Sequence, residues 1–295
     1  MCVIHGQQVT IENGETLYIR EREGGEVPVL LIHGNMTSSK HWDVVLEKMD
    51  ASYKLYAIDL RGFGKSTYNQ SFQSLKELAD DVHAVVEKLG VQHASVVGWS
   101  TGGGVAMQLA AGYPKFVDRL ILMSSLSTRG YPFQDHEGKR LNTKEQIEND
   151  GLRTIPTLQA YKNRDKSFLK KVWNAGIYTN HQPEPERYEE YLEDMLTQRN
   201  LVDIYYANNH FNMSNTYNGL EEGTKEIEHI QAPTLVVWGE DDLVIVRSMT
   251  EEIIEDFQTF NKDVHVSYLQ DTGHSPPIDR LEELIETFER FIANE

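Results

Sequence analysis

Gly98-Trp99-Ser100-Thr101-Gly102 sets a serine between two glycines, after the apolar run Ala94 to Val97 and before the helix-forming stretch GGGVAMQLAAGYP. On a tight strand-to-helix bend a serine hydroxyl stands exposed, and the helix N-terminus favours a negative charge developing beside it. Serine attacks at neutral pH only with an adjacent base. Of the 11 histidines, His274 has the setting for that base, in a Asp271-Thr272-Gly273-His274-Ser275-Pro276-Pro277 loop that follows the last apolar run. Chemistry in open α/β sheets gathers at such C-terminal strand ends. An acid on an earlier loop would hold the imidazole in the useful tautomer and stabilise it when charged. TLVVWGEDD ends a run at Asp241-Asp242, so either aspartate could serve, with Glu240 a distant third. The donors for a developing oxyanion would be the backbone N–H of Thr101, just after the nucleophile, and that of Asn35 in His33-Gly34-Asn35-Met36. His33 closes a buried run and reads as a hydrogen-bonding brace. This chemistry asks for no cofactor and no metal.

Such groups must be carried on strands that end along a common edge. Short apolar runs alternate with amphipathic stretches, the pattern of a mostly parallel sheet covered on both faces. VPVLLIHG (27–34), YKLYAIDL (53–60), HASVVGWS (93–100), DRLILMSSL (118–126), APTLVVWGE (232–240) and DVHVSYLQ (263–270) are the predicted strands. QQVTIENGETLYIRE predicts an opening hairpin with Asn13-Gly14 as a two-residue turn. SLKELADDVHAVVEKLG (74–90) predicts a helix with Leu75, Leu78, Val82, Val85 and Leu89 on one stripe, a Ser74/Glu77 capping box and a stop at Gly90. RSMTEEIIEDFQTF and DRLEELIETFERFIANE supply the late helices. Residues 127–230 break the alternation: they hold no clear apolar strand, but helical stretches such as KSFLKKVWNAGIY and ERYEEYLEDMLTQRNLVDIYY. They read as a helical cap inserted into a core made of residues 1–126 and 231–295. Eight of the 14 tyrosines fall there, suited equally to lining a mixed pocket and to packing helices.

The bulk composition narrows the partners. With 295 residues, 39% of them hydrophobic, the chain can bury a full core without staples. A single cysteine, Cys2, allows no internal disulfide, fits a reducing compartment and reads as an inert thiol in a loose N-terminus. No basic start precedes an apolar run, and no apolar run approaches the roughly 20 residues a membrane span needs, so a cytoplasmic protein is expected. A net charge of −18, from 46 acidic and 28 basic residues, repels phosphate backbones and anionic lipids. Nucleic acid and membranes are therefore excluded as partners, which leaves a small-molecule substrate; nothing in the chain fixes an oligomeric state.

HGN (33–35), DLRGFGKS (59–66), GWSTGG (98–103), GEDD (239–242) and GHS (273–275), in this order, resemble the motifs of the α/β-hydrolase superfamily. The likeness covers most of the chain outside the cap. It implies an α/β fold with an eight-stranded, mostly parallel sheet, helices on both faces and a lid over the site. The resemblance favours Asp242, because the family acid usually lies three residues after the glycine matching Gly239, although Val246 stands where many relatives carry proline. It also makes Asp59, Arg61 and Ser66 parts of a structural turn. HGNMTSSKHW is similar to haloalkane dehalogenases, but those use an aspartate nucleophile, and serine would leave an inert ether. GWSTGGGVA is similar to cofactor-free haloperoxidases, which are also esterases and perhydrolases. Lactonases and carbon–carbon bond hydrolases share a serine triad under a helical cap. The implied activity is hydrolysis of a small or medium-sized uncharged carboxylic ester through an acyl-enzyme. A lactonase with the same triad and a hydrolase-fold ligand receptor with slow or no turnover are the alternatives.

Overall fold

A hairpin opens the computed structural model, which describes residues 3–294; Cys2, read above as an inert thiol, lies outside them. Strands β1 (Ile4–Thr10) and β2 (Thr16–Arg22) pair antiparallel with Thr10 opposite Thr16, so the connection spans 11–15 and is wider than the predicted two-residue turn. Such a turn needs positive φ at both central residues, and only Gly14 has it, at 86°. Asn13 is held otherwise: its Oδ1 accepts from the Glu15 N–H (3.0 Å) and its Nδ2 donates to Asp81 (2.8 Å).

The predicted strands follow as β3 (Val27–Ile32), β4 (Tyr53–Ile58), β5 (Ala94–Trp99), β6 (Val117–Met123), β7 (Thr234–Gly239) and β8 (Val264–Leu269). They form one eight-stranded sheet in the order β1-β2-β4-β3-β5-β6-β7-β8, antiparallel around β2 and parallel from β4 onward. Every residue of β5 and β7 is buried, as helices on both faces require. β8, at the edge, buries only Leu269 fully, so it departs from the apolar theme read for it.

The helices are α1 (Asp43–Lys48), α2 (Leu75–Lys88), α3 (Thr101–Gly112), α4 (Lys144–Glu148), α5 (Thr154–Asn163), α6 (Lys166–Gly176), α7 (Pro185–Met195), α8 (Leu201–His210), α9 (Arg247–Thr259), α10 (Pro276–Asp279) and α11 (Leu281–Ala293). The period of two along β3 sorts them onto two faces. Leu30 and Ile32 pack in a cluster with Leu78 and Val82 of α2, Val105 of α3 and Phe257 of α9. Val29 and Leu31 pack instead with Val45 and Leu46 of α1 and with Leu284 and Phe288 of α11. Each such fully buried side chain contributes roughly 1.5–3 kcal/mol relative to exposure.

Between β6 and β7 the described residues form helices α4 to α8 and isolated bridges, with no named strand. The run 186–206 splits into α7 and α8. Thr197 Oγ1 donates to the Asp194 carbonyl (2.6 Å), and the Arg199 N–H donates to the Gly62 carbonyl (2.9 Å), which turns the backbone down onto the core. Among the described residues, no helix is long and apolar enough to cross a membrane.

Candidate active site

Ser100 caps α3 with φ 56° and ψ −121°, a conformation that costs of order 1–3 kcal/mol outside glycine. Its surroundings hold it there: the Ser100 N–H donates to the Met123 carbonyl (3.1 Å), and the Ser100 carbonyl accepts from Gly103 (2.9 Å) and Leu126 (3.2 Å). The helix also comes close to the end of β3. A Cβ on Gly102 would lie 2.3 Å from the Ile32 carbonyl oxygen and 2.5 Å from that of His33, so only glycine permits the approach.

His274 arrives from the loop after β8. Its Nδ1 lies 2.8 Å from Asp242 Oδ2, and the two side chains are 3% and 0% exposed. Asp242 Oδ1 accepts the N–H groups of Val244 (2.8 Å) and Ile245 (2.9 Å), which fixes the carboxylate. With Asp242 as its acceptor, His274 Nδ1–H donates to the carboxylate, which leaves the lone pair on Nε2. Two residues that the sequence did not single out set the loop: Trp99 Nε1 donates to the His274 carbonyl (2.9 Å), and Asp279 accepts from the Gly273 N–H (2.8 Å). Gly239 permits the loop to pass, since a Cβ there would lie 2.3 Å from the Thr272 carbonyl oxygen. Asp241 points elsewhere, exposed and accepting from Asn180 Nδ2 (2.8 Å), and Glu240 is exposed.

Ser100, His274, Asn35 and Thr101 all line one cavity of about 320 Å³, although Ser100 Oγ makes no hydrogen bond among the described residues. Thr101 opens α3, so its N–H has no intrahelical acceptor. The Asn35 side chain is steadied by Gln198, whose Nε2 donates to Asn35 Oδ1 (2.8 Å) while its Oε1 accepts from Tyr161 (2.8 Å). Asn208 Nδ2 donates to Thr101 Oγ1 (2.8 Å). Neither Gln198 nor Asn208 was found from sequence, because a polar residue in a helical stretch carries no signal of what it faces. Apolar side chains, among them Phe133, Phe168, Trp173 and Ile177, make up most of the wall. Of the tyrosines, Tyr131 and Tyr205 line the cavity, whereas Tyr178, Tyr188 and Tyr191 pack in the second core cluster.

The groups read as structural are fully engaged away from Ser100. His33 donates from Nδ1 to the Gly34 carbonyl (2.7 Å) and accepts the Leu60 N–H at Nε2 (3.0 Å); burial lowers its pKa to about 4, so it is neutral. Asp59 accepts the N–H groups of Ser39 and Lys65 (both 2.8 Å), and burial raises its pKa to about 6. Arg61 grips Asp81 of α2 through two 2.7 Å bonds, and Ser66 Oγ donates to the Asp59 carbonyl (2.6 Å).

Comparison with known proteins gives a consistent kinship. The sequence profile of the alpha/beta hydrolase fold matches residues 27–281. A bifunctional esterase/perhydrolase from Acinetobacter calcoaceticus is 30% identical over 244 residues, which cover 80% of this chain and 82% of that one. A 2-hydroxy-6-oxononadienedioate/2-hydroxy-6-oxononatrienedioate hydrolase from Burkholderia vietnamiensis is 27% identical over 277 residues, 90% of each chain. In fold, the chain is similar to an esterase from Exiguobacterium antarcticum, with a TM-score of 0.75 at 19% identity over 98% of this chain and 100% of that one.

Proposed function

The chain belongs to the alpha/beta hydrolase fold family, and we propose that within it the protein is a serine hydrolase of small or medium-sized uncharged carboxylic esters. Ser100 Oγ attacks the acyl carbon while His274 Nε2 takes its proton. Asp242 keeps the imidazole oriented and stabilises its charged form. The N–H groups of Asn35 and Thr101 bind the oxyanion; in related chemistry the loss of one such donor costs about 10²–10³ in kcat. His274 then protonates the departing alcohol, and water, activated by the same imidazole, releases the acid from Ser100. Residues 127–230 act as a cap that walls the cavity and selects the substrate.

One observation carries this reading: the 2.8 Å His274–Asp242 bond at a cavity that Ser100 also lines, on a strained bend at a helix N-terminus. Replacing Ser100 with alanine is expected to remove ester turnover and leave the thermal unfolding curve in place. Undiminished hydrolysis by that variant contradicts the assignment.

The dienedioate hydrolase among the relatives suggests a second reading, cleavage of a dicarboxylate. The cavity opposes it. Its lining holds one guanidinium, Arg153, for the two carboxylates of such a substrate, and a chain of net charge −18 does not gather dianions. A neutral ester, or a lactone handled by the same groups, fits the apolar wall better. Comparing kcat/KM for p-nitrophenyl esters and for lactones separates those two.

A further inference from the structure

Exposed apolar side chains gather where the catalytic cavity opens. Leu152 and Val172 line the cavity that Ser100 and His274 also line, yet they are 64% and 40% exposed, which puts them at its mouth. Leu152 comes from the turn before α5 and Val172 from α6. The loop after β7 supplies a further part of the rim. Its Val244 lines the cavity too, and a Cβ on Gly176 of α6 would lie 3.6 Å from Val244 Cγ2, an ordinary contact distance. On the same loop Leu243 and Val246 are 65% and 45% exposed. A single exposed hydrophobic side chain is ordinary, whereas a cluster continuous with a ligand cavity marks a binding surface.

We propose that this rim carries the outer part of a long unbranched apolar chain, so that the preferred substrates are neutral esters whose chain overreaches the cavity. This rests on the ester-hydrolase reading above and places the substrate at the upper end of its size range. The cavity of about 320 Å³, at roughly 30 Å³ per water-sized group, holds on the order of ten non-hydrogen atoms. A short ester is enclosed by it. A chain that continues past that length leaves through the mouth and lies on Leu152, Val172 and Val244 instead of in water. Each methylene covered in this way is worth up to about fourfold in kcat/KM. A second copy of the chain is a poorer occupant of the rim, because two molecules of net charge −18 repel each other.

The test compares methyl butyrate with methyl decanoate, and butyl acetate with decyl acetate, all below their solubility limits so that dissolved monomers are read. In at least one of the two pairs, wild-type kcat/KM is expected to be about tenfold or more higher for the longer chain. The double variant Leu152→Asp/Val172→Asp is expected to cut that long-to-short ratio about fivefold or more, a comparison in which effects common to both esters cancel. Val27→Asp puts a charge on another exposed side chain, at the start of β3 and away from the cavity, and keeps the wild-type ratio. Flat ratios in both wild-type pairs, a ratio unmoved by the double variant, or an equal fall in Val27→Asp overturns the proposal. Leu152→Asp alone, at the more exposed position, replaces the double variant where the latter does not fold. Calorimetric binding of the same esters to Ser100→Ala needs no turnover. Tighter binding of the longer ester there, lost when the rim substitutions are added, supports the rim even if wild type cleaves none of the four, in which case the ester-hydrolase reading is what has failed. Equal affinities for long and short esters, or a length preference that survives the rim substitutions, overturn the rim assignment itself.

Discussion

Asp241 and Asp242 are chain neighbours with opposite surroundings, one exposed beside Asn180 and the other buried against His274. If Asp242 orients the base, Asp242→Asn lowers kcat by up to about 10⁴, while Asp241→Asn changes it only a few-fold. Steady-state kinetics on p-nitrophenyl butyrate measure both, and the larger loss in Asp241→Asn contradicts the assignment. His33 shows a different residue-scale effect. Its folded-state pKa, near 4, lies below the ordinary 6.5, so an unfolded chain takes up a proton in that window that the folded chain refuses. The contribution is present above pH 6.5 and is lost as the pH falls toward 4, by about 3 kcal/mol at roughly 1.4 kcal/mol per pKa unit. Asp59 works in the opposite sense, because burial favours its protonated form below about pH 6. Denaturant titrations of wild type and of His33→Gln isolate the histidine: the wild-type advantage is expected to shrink by about 3 kcal/mol between pH 7 and pH 4, and a constant difference contradicts it. At this scale the sequence exposed Ser100 and His274 through local pattern. Residue type alone left Asp241 and Asp242 both open, and the family resemblance favoured Asp242; which neighbour faces the histidine depends on the turn after β7.

Helix α2 was legible almost to the residue. Its apolar stripe, its stop at Gly90 and its capping box are local features, and in the structure Ser74 and Glu77 satisfy each other's backbone N–H groups. Ser74→Ala is expected to lower stability by about 1 kcal/mol in chemical denaturation; no change means that the cap bond adds nothing net. The central strands were legible for a similar reason, since strands buried on both faces must be continuously apolar. Elements decided by distant partners were not. The hairpin loop widened because Asn13 reaches Asp81 of α2, and the 186–206 run broke where Arg199 meets Gly62, contacts that no window of sequence contains.

Across the whole molecule, the segment between β6 and β7 is tied by polar side chains to α1, α3 and the loop after β3. Gln198 reaches Asn35, Asn208 reaches Thr101, Asp194 accepts from Ser38 (2.7 Å) and Arg187 reaches Glu47 of α1 (2.8 Å). Two of these bonds end on the proposed oxyanion residues, which links the proposed cap to the chemistry as well as to the pocket shape. The order of motifs along the chain identified the fold, whereas these long-range contacts form only once both layers have assembled and lie in no single window of sequence. The central claim is that catalysis runs through a covalent acyl group on Ser100. A fluorophosphonate, which forms a stable mimic of that intermediate, tests it when labelling is followed by peptide mapping by mass spectrometry. The expected result is one phosphonyl group per chain, on the peptide containing Ser100, with esterase activity lost in proportion to labelling. Labelling of a different residue, or full activity in completely labelled protein, contradicts it.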